Sequence, residues 1–381
     1  MAEYKMVRLG DYITEYSVKN KSNEDIPVYS VTNTQGFCTE YFSKDVSSKD
    51  KSNYKIVPRG CFAYNPSRIN VGSVDWQRYE DRVIVSPLYN VFKVSPELEN
   101  QYLYYFLKSD IGHTLITSKA EGSVRDNLKI TMLAEFSIPL PPLETQKLIA
   151  AQLDKCTALI AKHKQMLEKY DTLIKSRFIE MFGDNPIENG KWKVEKLGNL
   201  GLCKNGMNFS YEDNGFEINC LGVGDFKDNA VISNCEKLPV ISLNEKPSEE
   251  YLLKDNDIVF VRSNGNKELV GRSVLVHPRV LTTFSGFCIR FRLSTDSINH
   301  LFLLQFLKMP NTRKNMAGRG ANIQNLNQQI LSNLDIPVPQ IELQNNFAAF
   351  VHQIDKSKFA VQKALEKAET LYKSLMQRYF A

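Results

Sequence analysis

The 381-residue chain holds residues able to do covalent chemistry, yet they do not stand at the spacings such chemistry needs. A nucleotide-cradling loop would read G-x-x-x-x-G-K-[ST], with backbone amides around the phosphates and a lysine reaching the terminal ones. No such stretch occurs. "GVGDF" at Gly222–Phe226 is too short for a dinucleotide-binding glycine pattern. The Asn/Asp-Pro-Pro-aromatic tetrapeptide of an amino-methyltransferase is missing, and "NPSR" at Asn65–Arg68 is not a version of it. "DFK" at Asp225–Lys227 supplies half of a nuclease-type carboxylate–lysine set, a triplet common by chance. His113, His163, His277, His300 and His352 show no metal-ligand spacing. No catalytic residues, metal or cofactor are expected on the chain. What remains is polar side chains suited to binding, and elements that must hold them in place.

Length argues for two domains, because one hydrophobic core does not grow to this size. Hydrophobic content of 43% and charged content of 24% belong to a globular protein. A net charge of +5 permits nucleic-acid binding without demanding it. Seven cysteines, an odd number with no C-x-x-C pair, speak against a disulfide framework or zinc ribbon. With no apolar leader and no apolar run near ~18 residues, a cytoplasmic location and no membrane contact are expected.

The main organising feature is a repeat. "IPLPPLETQ" from Ile138 returns as "IPVPQIELQ" from Ile336. The offset of 198 then holds without a gap through Phe182 and Phe380, with fifteen identical pairs in 45 positions. "LEK" recurs at Leu167–Lys169 and Leu365–Lys367, and T-L-x-K-S at Thr172–Ser176 and Thr370–Ser374. Upstream the likeness is weaker, as in "LYYFLK" (Leu103–Lys108) against "LLQFLK" (Leu303–Lys308). A period near 200 residues is a duplicated domain, not a solenoid. In each copy, short β-branched and aromatic runs punctuated by Gly, Asn and Pro predict strands, among them "GCFAYN", "YNVFKV", "DIVFVRS" and "GFCIRFRL". A helix is predicted at Leu98–Leu107 and at His300–Met309, then a polar loop, the proline phrase and a long helix.

Those long helices carry an apolar seam. Ile149, Leu153, Cys156, Ile160, His163, Leu167, Tyr170, Ile174, Arg177 and Met181 alternate spacings of four and three. Phe347, Val351, Ile354, Lys358, Val361, Leu365, Ala368, Tyr372, Leu375 and Tyr379 do the same. Sustained 4-3 spacing is a coiled-coil pattern. A helix of some 35 residues, about 50 Å long, needs a long partner, and its twin is the obvious one. Antiparallel pairing is expected, since each helix follows its own domain. Lys358 is read as snorkelling or setting register, and His163 as a partly exposed seam residue. Pro139 and Pro141 with Pro142, and Pro337 with Pro339, make a stiff elbow before each helix.

Two divergent β-rich regions, each followed by I-P-x-P-x-x-E-x-Q, an L-E-K helix and T-L-x-K-S, resemble the specificity subunit of type I restriction–modification systems. The resemblance spans essentially the whole chain. It implies an α+β fold with two β-rich target-recognition domains, each followed by a long helix, the helices paired as an antiparallel coiled coil. The expected boundaries are 1–142 and 191–340 for the domains, 143–182 and 341–381 for the helices, and 183–190 for a linker. It implies a non-catalytic subunit that reads a bipartite site on double-stranded DNA. Two methyltransferase subunits, with S-adenosylmethionine on them, and motor–nuclease subunits, with ATP and Mg on them, are the implied partners.

A half-site reader needs base-edge donors and acceptors together with phosphate clamps. In the first domain the candidates are Asn33, Gln35, Asn65, Arg68, Asn70, Arg78, Lys119, Arg125 and Asn127. In the second they are Asn205, Asn208, Tyr211, Arg262, Asn264, Asn266, Lys267, Arg313, Lys314, Arg319, Asn322 and Gln324. The best lie in "YNPSRIN", "SKAEGSVRDN", "VRSNGNKE" and "RKNMAGRGANIQN", where glycine permits close backbone approach. A protein-interaction scaffold that does not read DNA is the alternative.

Overall fold

The computed structural model describes residues 4–39, 50–120, 127–210, 212–226, 230–317 and 325–380. By compactness the chain divides into two units, Met1–Gln165 with Gln362–Ala381, and Met166–Val361. Each unit therefore combines one β-rich head with a stretch of both long helices.

The first unit has strands β1 (Met6–Arg8), β2 (Ile13–Glu15), β3 (Ser30–Thr32), β4 (Gly36–Cys38) and β5 (Lys55–Pro58). β6 (Phe62–Tyr64), β7 (Val74–Trp76), β8 (Arg82–Val85), β9 (Asn90–Val94) and β10 (Ser137–Pro139) complete it. Its helices are α1 (Asn100–Lys108), α2 (Asp110–Ala120), α3 (Ile130–Leu133) and the start of α4 (Leu143–Phe182). Strands order as β2-β9-β6-β7, with β3-β4, β5-β8 and β1-β10 as separate pairs. The helix predicted from Leu98 starts at Asn100, because the Glu99 carboxylate caps it by accepting from Tyr102 N.

The second unit repeats the plan. Its strands are β11 (Lys193–Lys196), β12 (Gly201–Asn205), β13 (Phe216–Leu221), β14 (Val231–Ile232) and β15 (Val240–Leu243). β16 (Asp257–Val261), β17 (Ser273–Val276), β18 (Thr282–Phe284), β19 (Cys288–Leu293) and β20 (Asp335–Val338) follow. Its helices are α5 (Leu197–Leu200), α6 (His300–Leu307), α7 (Pro310–Ala317), α8 (Gln328–Ser332) and the start of α9 (Ile341–Phe380). The sheet β12-β19-β16-β17-β14 has the order of the first unit's sheet plus one parallel strand. α6 stops before the predicted Met309, and Pro310 opens α7 because proline cannot continue the preceding helix.

The elbow is built alike in both units. β1 pairs with β10, Val7 opposite Ile138, and β11 pairs with β20, Glu195 opposite Ile336. One turn into α4, the fully buried Gln146 amide donates to Glu97 O (2.9 Å) and Pro141 O (2.9 Å) and accepts from Glu99 N (2.8 Å). In α9 the equally buried Gln344 donates to Ser297 O (3.0 Å) and Pro339 O (2.8 Å) and accepts from Asn299 N (2.9 Å). The glutamine of the repeated phrase thus locks the elbow to the segment that caps the preceding head helix. All three backbone groups would otherwise lie near the core without partners.

The helix ends close each core. In the first unit the C-terminal turn of α9 places Phe380 against Tyr102 (5.3 Å) and Phe106 (5.9 Å) of α1. In the second, the C-terminal turn of α4 places Phe182 against Phe302 of α6 (4.7 Å), with Phe178 between Phe302 and Phe347. Within the first unit Ile149 and Leu153 are buried and Ile160 half-buried on α4, while Leu365 is buried and Tyr372 and Leu375 are half-buried on α9. Gln152 accepts from the Tyr379 hydroxyl, and Lys164 meets Glu369 (3.1 Å). Within the second unit Leu167, Tyr170 and Ile174 are half-buried, and Phe347, Val351 and Ile354 are buried. There Lys358 pairs with Asp171 (2.6 Å). In both units rising numbers on α4 meet falling numbers on α9. Towards the helix ends burial moves one position past the 4-3 spacing, to Phe178 and Phe182 and to Met376 and Phe380. The reason is that these turns pack on a head rather than on a helix alone. His163 is half-buried and its Nδ1 finds no partner among the described residues.

Candidate nucleic-acid interface

In the first unit the chain leaves β6 through Asn65-Pro66-Ser67-Arg68. The Asn65 side chain accepts from Ser67 N (3.1 Å) and its carbonyl from Arg68 N (3.0 Å), a turn that asparagine builds with its own amide. This turn meets the far end of the second predicted loop. Ser67 Oγ donates to Asn127 Oδ1 (2.6 Å), and Leu128 N donates to Pro66 O (3.2 Å). The Tyr64 hydroxyl fixes the junction from below through Leu128 O (3.0 Å). Arg68 and Asn127 are exposed there, and Asn65 and Asn70 half-buried.

The second unit has the same junction with other side chains. Arg262 follows β16, its carbonyl accepts from Leu326 N (2.8 Å), and Ser263 bridges Asn325. Asn264 Oδ1 accepts from Asn266 N (2.8 Å), and Asn266 Oδ1 from Glu268 N (3.0 Å). Arg313 on α7 donates to Glu268 O (2.7 Å) and Val270 O (3.0 Å), which ties the loop to that helix. A third segment joins here. Arg262 N donates to Phe287 O (2.8 Å) and its guanidinium to Gly286 O (3.2 Å). Asn208 lies so close to that turn that a Cβ on Gly286 would collide with its amide oxygen. Asn208, Arg262, Asn264 and Asn325 therefore converge, with Asn205 half-buried at the end of β12 and Lys314 exposed on α7.

Other predicted residues sit apart from these junctions. Asn33 and Gln35 are exposed on the β3–β4 hairpin. Arg78 is engaged in the structure itself: it pairs with the buried Asp75 and lies 4.5 Å over the Trp76 ring. Burial holds the Asp75 carboxyl above its ordinary value even though Arg78, Phe37 N and Trp76 N favour its charged form. Lys119 pairs with Glu135 (2.7 Å) at the surface. Arg125, Tyr211, Arg319, Asn322 and Gln324 lie outside the described residues, as does the side chain of Lys267.

Sequence reading passed over two exposed apolar residues next to the strands that carry the junctions. Leu88 (75% exposed) and Phe287 (62% exposed) occupy turns of the same form, closed by Tyr89 N to Ser86 O (3.1 Å) and by Cys288 N to Ser285 O (2.8 Å). Their signal was an apolar residue in a turn where polar ones are usual. The clamps Gln146 and Gln344 were visible only as identities within the repeat.

A family model for the type I restriction modification DNA specificity domain matches residues 1–169 and again 189–369. The type I restriction enzyme StySPI specificity subunit of Salmonella potsdam is 26% identical over 400 residues, covering 99% of this chain and 85% of that protein. The MjaVIII specificity subunit of Methanocaldococcus jannaschii is 24% identical over 407 residues, covering 98% and 91%. Among solved structures, the type I restriction-modification S subunit of M. genitalium superposes with a TM-score of 0.59 at 14% identity, covering 99% of this chain and 96% of that one. A chain from a type I R-M system, solved in work on complex assembly and conformational transition, gives 0.58 at 17% identity, covering 100% and 98%. At those identities the structural likeness carries the fold, and the family rests on the two matched regions. The chain belongs to the family of the type I restriction modification DNA specificity domain and carries two copies of that domain.

Proposed function

We propose that this chain is the non-catalytic DNA-reading subunit of a type I restriction–modification complex, each unit reading one half of a bipartite duplex site. The observation that carries this is the repeated junction: two copies of one family domain fold the same loop-to-loop contact and furnish it with different polar side chains. A common frame with different donors and acceptors is what two different half-sites require. Target-recognition domains at 1–142 and 191–340 hold these junctions. The helices at 143–182 and 341–381, with the linker 183–190, form an antiparallel coiled coil that sets the spacing. The opposed numbering of helix contacts inside each unit supports that pairing.

The partners are two methyltransferase subunits that bind S-adenosylmethionine, and motor–nuclease subunits that use ATP and Mg, all in the cytoplasm. Support for two copies of one partner comes from the T-L-x-K-S run. Thr172, Leu173, Lys175 and Ser176 are exposed, and so are Thr370, Leu371, Lys373 and Ser374. Core packing does not explain these identities, since the residues face outward. Two equal faces suit two equal partners.

The test is to map methylated bases in the host genome with and without the gene. Residues 191–335 are then exchanged for the equivalent domain of a relative. One half of the mapped site should change and the other should stay. A change in both halves, or in neither, overturns the two-reader model. Salt-insensitive or absent duplex binding by the assembled complex would favour the scaffold reading instead.

A further inference from the structure

The two units differ at one lysine. Lys108 and Lys308 end the matching phrases "LYYFLK" and "LLQFLK". In the first unit the Lys108 ammonium donates to Gly72 O and Asn33 O. In the second, Lys308 has no hydrogen bond or ion pair among the described residues and faces a cleft of about 410 Å³. Arg272 lines the same cleft and likewise has no side-chain partner among the described residues. Beside it Ser273, only 2% exposed, also lines the cleft, and its hydroxyl is buried without a partner among the described residues. Lys308 and Arg272 are half-buried and the Ser273 hydroxyl is fully buried; buried polar groups are normally satisfied, and these three donors around one cleft suit an anion.

The remaining charges do not supply it. On α4 Asp171 is held by Lys358 of α9 at 2.6 Å, with Lys175 at the rim. Asp355 of α9 also lines the cleft, and burial holds its carboxyl above the ordinary value against the pull of Lys358. Arg313 of α7 points its guanidinium at two backbone carbonyls. Five cations therefore face two carboxylates. The rest of the lining is partly apolar, with Ile174, Val231, Leu304 and Val351. A cleft of this volume, part apolar and part cationic, has the size and character of a small-molecule site.

We propose that this cleft binds a small phosphorylated molecule of mononucleotide size, its phosphate held by Arg272, Lys308 and the Ser273 hydroxyl and its ring against the apolar part of the lining. Charge-assisted hydrogen bonds from guanidinium and ammonium to phosphate are among the strongest available to a protein. Burial pushes the Lys308 ammonium down to about 8, with Lys358 and Arg272 adding to the fall and Asp171 and Asp355 opposing it. Binding is therefore strong at pH 7 and weakens as pH rises through 8, when Lys308 gives up its proton.

The test is calorimetric titration of the full chain, in phosphate-free buffer, with AMP, inorganic phosphate and adenosine. AMP should bind saturably, phosphate more weakly and adenosine not at all. Lys308→Met and Arg272→Gln should each weaken AMP at least tenfold, Lys308→Arg by less than threefold, and a rise from pH 7 to pH 9 by several-fold. Ser273→Ala removes an unpaired buried hydroxyl, so it should fold at least as well as the parent and still weaken AMP severalfold. It keeps the test decisive should a charge variant fail to fold. No saturable AMP binding by the parent chain overturns the proposal, as does AMP binding that Ser273→Ala and the charge variants leave unchanged. Loss of duplex DNA binding in Lys308→Met, with no AMP binding by the parent, would also overturn it and mark the cleft as a clamp for DNA phosphate.

Discussion

The shared helix phrase and the heads before it have kept opposite things. Along the helices, identity falls on an outward face, Thr172–Ser176 and Thr370–Ser374, and on the buried clamps Gln146 and Gln344. In the heads, the backbone junction is kept and the side chains on it are not: Pro66 O and Arg262 O accept equivalent bonds from Leu128 N and Leu326 N. A frame has to present the same geometry and the same partner surface twice. A reader has to present different chemistry at the same place. On the proposed function, identical residues mark what is held in common, and identical backbone contacts with unlike residues mark what discriminates.

The comparison is most easily broken at the helix ends. Phe182→Ala and Phe380→Ala should each cost about 3–5 kcal/mol, the usual range for a fully buried phenylalanine, in urea unfolding of the purified chain. If one cost several times the other, the two units would not be closed in the same way. Gln146→Ala and Gln344→Ala come next. Each leaves buried backbone groups unpaired, at about 1–3 kcal/mol, and the two losses should match in the same assay. A large inequality would show that the elbow is rigid on one side only.

The heads should behave in the opposite manner. Arg262→Ala and Arg68→Ala are expected to relax different half-sites, each by about 1–3 kcal/mol if the side chain reads a base edge, measured as affinity of the assembled complex for the mapped site and its single-base variants. Both variants relaxing the same half-site would sink the assignment of one reader per unit. A smaller effect is a pH dependence at the cleft of the second unit. The folded-state Lys308 has its pKa lowered to about 8 by burial, below its unfolded value, so between about 8 and 10.5 the unfolded chain binds more protons. Stability attributable to this group should therefore rise with pH across that window. The difference in melting temperature between the parent and Lys308→Met should narrow from pH 7.5 to pH 10; a constant difference would refute the assignment. Smallest of all, Lys358→Met should cost less than about 1 kcal/mol, because its partner Asp171 is largely exposed.

Much of the frame could be read locally. The 4-3 spacing, the prolines and the 198-residue offset are short-range patterns. The structure places Leu153, Phe347, Val351, Ile354 and Leu365 on buried positions accordingly. At Arg177 and Met181 the buried position is one residue further on, Phe178 and Phe182, because a head rather than a helix decides which side is covered. At the proposed reading loops, composition picks out polar stretches but not what each residue does. Arg78 looks like a free cation in sequence and is paired with buried Asp75 in the fold. Arg313 looks like a base reader, and two backbone carbonyls hold its guanidinium.

By itself the amino-acid sequence determined that there are two like units, that each has a β-rich head, a proline elbow and a long helix, and which polar stretches differ between them. These follow from periodicity and from proline's missing amide, properties of neighbouring residues. Only the tertiary structure decided that Gln146 reaches back to Glu97 and Glu99, that Phe380 closes the first unit and Phe182 the second, and that Asn127 meets Ser67. It alone satisfied Lys108 and left Lys308 facing a cleft. Such contacts join residues from tens to hundreds of positions apart. Their energy depends on which groups are removed from water together, which no local pattern records.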